Sequence, residues 1–190
     1  MNIPIDISDV TIQSPRLLLR FWKQDDLADL YEYASVDGVC QMAGWKPHQS
    51  MEKSARVLSM LIREKKTFAV EYEGKVIGSL GIELYDEKQI PELHDFKGRE
   101  LSFVLAKDYW GQGLMPEAVK AVIEWFFTHT DGEFLTCGYF IWNRQSKRVQ
   151  EKCGFHFLKK ILFETKLDTI EKINVNILWR QEWEDAKKEG

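Results

Sequence analysis

Between Glu100 and Phe127 the hydrophobic period of the chain switches from two to 3.6 across a pair of glycines. Leu101, Phe103 and Leu105 alternate with other residues, as in a half-buried strand. Val119, Val122, Ile123, Phe126 and Phe127 recur as one face of an amphipathic helix does. The segment between them, "KDYWGQGLMPEAV", therefore has to turn a strand directly into a helix. Gly111 and Gly113 lack the Cβ atoms that would hinder close approach, and Pro116 suits a first helical turn, where its missing N–H costs nothing. Such a turn aims free backbone N–H groups and the positive end of a helix dipole at one spot, which suits a pyrophosphate. A plain tight strand-to-helix connection is the alternative.

Two familiar phosphate loops are excluded. Proline at 116 removes the third glycine of a dinucleotide fingerprint, and no Gly-Lys-Ser/Thr follows Gly111. Upstream, the pattern predicts a strand over 16–21, a helix through Leu27, Leu30, Tyr31 and Ala34, and a second helix from Ser50, as N-cap, to about Lys65. A hairpin follows, with Phe68, Val70 and Tyr72 on one strand, a turn at Glu73-Gly74, and a return over 76–84. The stretch 86–98 reads as a long polar loop. Downstream come a strand over 134–140, a short helix opened by Asn143 and closed by Gly154, and strands over 155–163 and 173–179. The order is β-α-α-β-β-β-α-β-α-β-β, with a parallel crossover from the strand at 100 to the strand at 134.

At 190 residues, without repeats or a linker-like tract, the chain reads as one domain over 1–190. Its charge is mixed in sign, with a net value of −4, which argues against a nucleic-acid binder with a broad basic surface. A small substrate, an anionic cofactor or a basic protein partner remains compatible. Cys40, Cys137 and Cys153 form no CxxC pair and no ligand spacing with histidine, so buried reduced thiols are expected and a metal site is not. No secretory signal and no membrane-length apolar run is visible, so the expected location is the cytoplasm.

"ELSFVLAKDYWGQGLMPEAV" followed by "NRQSKRVQEKCGF" resembles the GNAT superfamily of N-acetyltransferases. It is similar in particular to the RimJ/RimL-like branch, which acetylates α-amino groups of ribosomal proteins. "RLLLRFWKQDDL" and "GKVIGSLGI" match that branch's first strand and helix and its central hairpin, so the likeness covers roughly 15–165. The resemblance implies a mixed, mostly antiparallel α/β sheet with flanking helices and one parallel strand pair that splays apart around acetyl-CoA, the co-substrate, with no metal.

Residue by residue, the resemblance implies that Val104, Leu105 and Ala106 pair with the pantetheine arm, and that Gly111, Gln112, Gly113, Leu114 and Met115 hold the pyrophosphate. Gln112 occupies a position often basic in relatives. Asn143 is either a helix cap alone or a cap that also touches the cofactor. Ser146 is the candidate acid for the departing thiolate, or else a small packing residue. The tyrosine that serves elsewhere in the superfamily is replaced by Gln150. Glu100 is the candidate base, or else a solvated strand-end charge. Trp22, Trp45, Tyr139 and Trp142 are candidates for the acceptor side. The expected reaction is acetyl transfer to a primary amine, foremost a protein or peptide N-terminus. A small amine such as an antibiotic or polyamine, or a non-catalytic CoA-binding module, are the alternatives. Pairing of the final apolar strand across a homodimer is a further expectation.

Overall fold

The computed structural model describes residues 1–189, which form one eight-stranded sheet in the order β1-β2-β3-β4-β5-β6-β8-β7. The strands are β1 (Ile12–Gln13), β2 (Leu17–Arg20), β3 (Thr67–Tyr72), β4 (Lys75–Glu83), β5 (Gly98–Leu105), β6 (Phe134–Phe140), β7 (His156–Glu164) and β8 (Ile170–Trp179). The helices are α1 (Leu27–Ala34), α2 (Met51–Glu64), α3 (Leu114–His129), α4 (Arg144–Lys152) and α5 (Arg180–Glu189). Every neighbouring pair is antiparallel except β5–β6. This is the expected mixed α/β architecture.

Local chemistry sets most of these elements. Ser50 caps α2 by accepting from Lys53 N, and α3 starts on Gly113 in the left-handed region, at φ 76°. Glu73 and Gly74 both take positive φ, the geometry of a two-residue hairpin turn. Alternation along the strands then sorts the core. Leu17, Leu19, Phe68, Val70, Leu101 and Leu105 face α3, whose Val122, Phe126 and Phe127 are fully buried, at roughly 1.5–3 kcal/mol for each side chain. Ala69, Val76 and Val104 face α1 and α2. Arg20 ties the start of α1 to the sheet by a two-pronged pair with Asp26 at 2.8 Å and a bond to Glu71 at 2.6 Å. Burial opposes the charge on Asp26, yet Arg20 holds its carboxyl below the ordinary value.

Three expectations are corrected. The chain adds β1 and α5, both too short or too polar for a periodicity signal. The final strand, β8, lies between β6 and β7 and is paired on both sides, so it has no free edge to offer a second copy. The long loop is not merely polar: Ile90 and Leu93 are buried against Phe134 and Ile177, and Glu92 pairs with Lys159 at 2.9 Å.

The parallel pairing begins at Gly98, opposite Phe134. A Cβ at Gly98 would lie 2.4 Å from the Phe134 ring. Gly98→Ala is expected to destabilise the fold by about 1–3 kcal/mol, read as a lower melting temperature. An unchanged melting temperature would mean that the ring relaxes freely.

Candidate active site

β5 and β6 are paired only over Gly98–Leu101 and Phe134–Cys137. Beyond this, β5 follows β4 as far as Gly78↔Leu105, while β6 follows β8 as far as Phe140↔Ile173. The two strands part, and backbone groups that a neighbour would satisfy are left facing a slot. Ala106 donates to Ile77 O of β4 at 2.7 Å. Strand alternation therefore turns the N–H groups of Phe103 and Leu105 toward the slot. Ala106 and, by the same alternation, Val104 thus turn their N–H groups to β4, and Ala106 does not line the cavity, in contrast to the sequence expectation for both. Leu105 O is taken by Trp110 Nε1 at 2.8 Å, which fixes the indole beside the slot.

The slot is a cavity of about 340 Å³ lined by Val104, Leu105, Gly111, Gly113, Leu114, Met115, Asn143 and Ser146, all of them sequence candidates. Gly111 and Gly113 adopt φ values of 78° and 76°, which other residues resist. Gln112 is turned away: its Nε2 donates to Asp108 O at 3.0 Å. The cation near the loop comes instead from Arg16, whose Nη1 donates to Gln112 O at 3.0 Å while its Nε bonds Glu117 at 2.7 Å. Arg16 is 96 residues from Gln112, so no local spacing announces the contact. Arg148 and Lys152 of α4 add cations to the cavity's wall.

Asn143 caps α4 through Oδ1, which accepts from Ser146 N at 3.0 Å, and its Nδ2 donates to Met42 O at 3.2 Å. Ser146 faces the slot, half-buried. Behind it, Gln150 is fully buried, and its Nε2 donates both to Gly138 O at 3.1 Å and to Ser146 Oγ at 3.2 Å. Its Oε1 accepts from Asn176 at 3.0 Å. Because Gly138 O can only accept, the amide orientation is fixed, and Ser146 Oγ is the acceptor of Gln150. The Ser146 proton is thereby left free to point into the slot.

A second cavity of about 1020 Å³ adjoins the first, and Phe103 and Val104 line both. Trp45, Ser79, Glu83 and Ser102 lie on its wall. Of the four aromatic candidates only Trp45 lines it. Trp22 is 2% exposed in the core beneath α1 and α2, Tyr139 is buried with its hydroxyl accepting from Asn174, and Trp142 stacks on Phe140 and bonds Glu171. His48 meets Ser54 at 2.7 Å, but Ser54 is fully buried and unable to reach a substrate. Burial raises the thiols of Cys40 and Cys153 to about 12, and that of Cys137 well above its ordinary value, so none is a ready thiolate.

Glu100 and Glu83 are cross-strand partners on this face. Glu83 pairs with Lys66 at 2.6 Å. Glu100 lies one alternation step below Ser102, with its Oε1 3.9 Å from where a Cβ on Gly138 would be. Burial, then the charges of Glu83 and Asp86, push its carboxyl up to about 7. It lines neither cavity directly, so any proton it takes from the second cavity travels through water.

A family model described as an acetyltransferase (GNAT) domain matches residues 16–156, and the chain belongs to this family of acetyltransferases. It is 25% identical over 126 residues to the uncharacterized N-acetyltransferase p20 of Bacillus licheniformis, an alignment covering 62% of this chain and 66%, just under two thirds, of that relative. Among solved structures, it resembles the ribosomal-protein-S5-alanine acetyltransferase of Vibrio fischeri, with 19% identity, a TM-score of 0.69, and coverage of 92% of this chain and 99% of that one. It also resembles the microcin C7 self-immunity acetyltransferase MccE, in complex with acetyl-CoA and AMP, with 13% identity, a TM-score of 0.72, and coverage of 87% and 93%. The protein is therefore an acyltransferase of a family that uses acetyl-CoA.

Glu100 also imposes a pH dependence on folding. Its folded value, about 7, exceeds the ordinary 4.5, so the native state binds the extra proton between the two. Stability therefore falls as pH rises through that window. Glu100→Gln is expected to flatten this slope and to melt higher than the parent at about pH 8, with little difference at about pH 4. Parallel pH profiles for the two proteins would contradict a buried carboxyl.

Proposed function

We propose that the protein transfers the acetyl group of acetyl-CoA to a primary amine, foremost the α-amino group of a protein or peptide N-terminus. The observation that carries this reading is the junction at Phe103 and Val104, where the slot between β5 and β6 meets the second cavity. A thioester held in the slot would face an amine held in the cavity. The Vibrio fischeri neighbour supports a ribosomal-protein acceptor. The openness of the second cavity toward several aromatic and charged side chains also fits a small amine, and the MccE neighbour favours that second reading.

In this mechanism the slot's backbone N–H groups at Phe103 and Leu105 bind the pantetheine amides, and the N–H groups of the first turn of α3 hold the pyrophosphate. Glu100, ionised above about 7, takes a proton from the ammonium through water. The neutral amine forms the new N–C bond as the C–S bond breaks, and Ser146 gives its free proton to the departing sulfur. The acylated nitrogen sheds its second proton to solvent, and solvent returns one to Ser146. Gln150 holds the hydroxyl in the donating orientation.

Two experiments test the reading. In Gly113→Glu the side chain puts negative charge where the pyrophosphate would lie. Its Cβ meets only Arg16 Nη2, at 3.6 Å, but the left-handed φ of 76° strains it, and Gly113→Ala, which carries the same strain without the charge, is the control. Acetyl-CoA should raise the melting temperature of the parent and not of Gly113→Glu. An equal shift in both would remove the pyrophosphate assignment. Ser146→Ala should lower kcat by about 10²-fold, within the usual range of a general acid, with KM for acetyl-CoA nearly unchanged. Gln150→Leu should lower kcat in the parent and add nothing in the Ser146→Ala background. Additive losses would show that Gln150 acts on the fold and not through Ser146.

A further inference from the structure

The wall of the second cavity carries a local charge opposite to that of the protein. Five cationic side chains line it, Lys46, Lys53, Arg56, Lys66 and Lys166, against the two carboxylates of Glu64 and Glu83. Lys66 bridges both carboxylates, at 3.0 and 2.6 Å, so these three groups together leave one negative charge against the other four cations of the wall. Lys46 is occupied by Asp168 at 3.0 Å. Lys53, Arg56 and Lys166 have no ion-pair partner among the described residues, although the chain as a whole has a net charge of −4.

These three cations have a fixed relation to the reacting end. Lys53 and Arg56 stand one turn apart on α2, whose inner side is anchored by buried Ser54 and Leu58. Lys166, in the β7–β8 connection, is held to the other wall by its backbone N–H, which donates to Gly44 O at 2.8 Å. The floor, formed by Ser79, Ser102 and the Glu83–Lys66 pair, abuts the slot through Val104. An amine at the floor therefore sits beside Glu100's strand face, and whatever the amine is attached to extends toward a surplus of positive charge.

Given the acetyl-transfer reading above, on which this rests, we infer that the acceptor is an anionic primary amine: its amino group lies at the floor and a carboxylate or phosphate a few bonds away meets Lys53, Arg56 and Lys166. A strongly basic peptide or a polyamine would bring like charge against these three side chains. Exposed charge contacts are individually weak, and three of them acting together give a discrimination of about tenfold.

The test measures thiol release from acetyl-CoA with two pairs of acceptors that differ in charge. One pair is a tetrapeptide amide with two aspartates after its first residue and its counterpart with two arginines, which add positive charge without a second primary amine. The other is free phosphoserine and serinamide. The acidic member of at least one pair should have a kcat/KM about tenfold higher, and the pair that responds tells peptide from small molecule. In the double variant Lys53→Glu, Arg56→Glu that preference should vanish or invert, with KM for acetyl-CoA unchanged. Equal or better use of the basic or neutral members would overturn the inference, as would a preference that survives the charge reversal. Binding of acetyl-CoA, seen as a raised melting temperature, without transfer to any acceptor would defeat the acetyl-transfer reading itself, and this inference with it.

Discussion

The rest of the site depends on the separation of β5 from β6 after four paired residues. Backbone N–H and C=O groups in a sheet interior are satisfied by neighbours, and here the neighbour leaves. Ala106, with its N–H, remains committed to β4, and Leu105 O is taken by an indole, so the groups still facing the slot are few and directional. The separation has visible causes on both sides. β4 holds β5 in register as far as Leu105, and β8 holds β6 in register as far as Phe140, so each strand follows its antiparallel partner. Gly138 sits just past the last parallel pair, and a Cβ there would press on Ile173 at 3.2 Å while meeting the Glu100 carboxylate at 3.9 Å.

The polar groups around the slot are arranged with almost no redundancy. Asn143 spends its oxygen on the α4 cap and its nitrogen on Met42. Gln150, buried without charge, satisfies Gly138 O, Asn176 and Ser146 together. A buried network of this kind is stable only when every member is paired. The hydroxyl proton of Ser146 is left over, and it faces the cavity. Glu100 is the opposite case, a carboxyl without a cationic partner, kept near neutrality by burial and by neighbouring acids. The same environment that weakens the fold above neutral pH gives the group a proton affinity suited to general base work.

Positive charge is supplied to both cavities from distant parts of the chain. Arg16, at the start of β2, braces the glycine loop by bonding Gln112 O and Glu117 of α3, so the absence of a cation at position 112 is offset from another strand. Across the sheet, α2 and the β7–β8 connection bring Lys53, Arg56 and Lys166 to one wall. Elements α1 and α2 thus pack beside the second cavity, and α3 and α4 beside the slot.

What could be read from the sequence was what is decided locally. The alternation in 101–105, the stripe on α3, the Ser50 and Asn143 caps and the left-handed glycines depend on neighbours within a few residues, so each leaves a pattern in the string. The places of Glu100, the glycine loop and Ser146 on their elements were legible for that reason. Contacts between distant segments left no such pattern. Trp22 and Trp45 look alike as residues after short elements, yet one is sealed beneath α1 and α2 and the other lines a cavity. The last strand looks like an edge in sequence order, but β7 closes over it. Arg16 meeting Gln112, Lys66 bridging two carboxylates and Gln150 bonding Ser146 likewise required the fold. The sequence by itself determined the elements and the donor loop, because caps, turns and periodicity act over one or two turns of chain. Only the tertiary structure decided the charge of the acceptor wall and the proton affinity of Glu100, because both are set by burial and by groups brought together from remote segments.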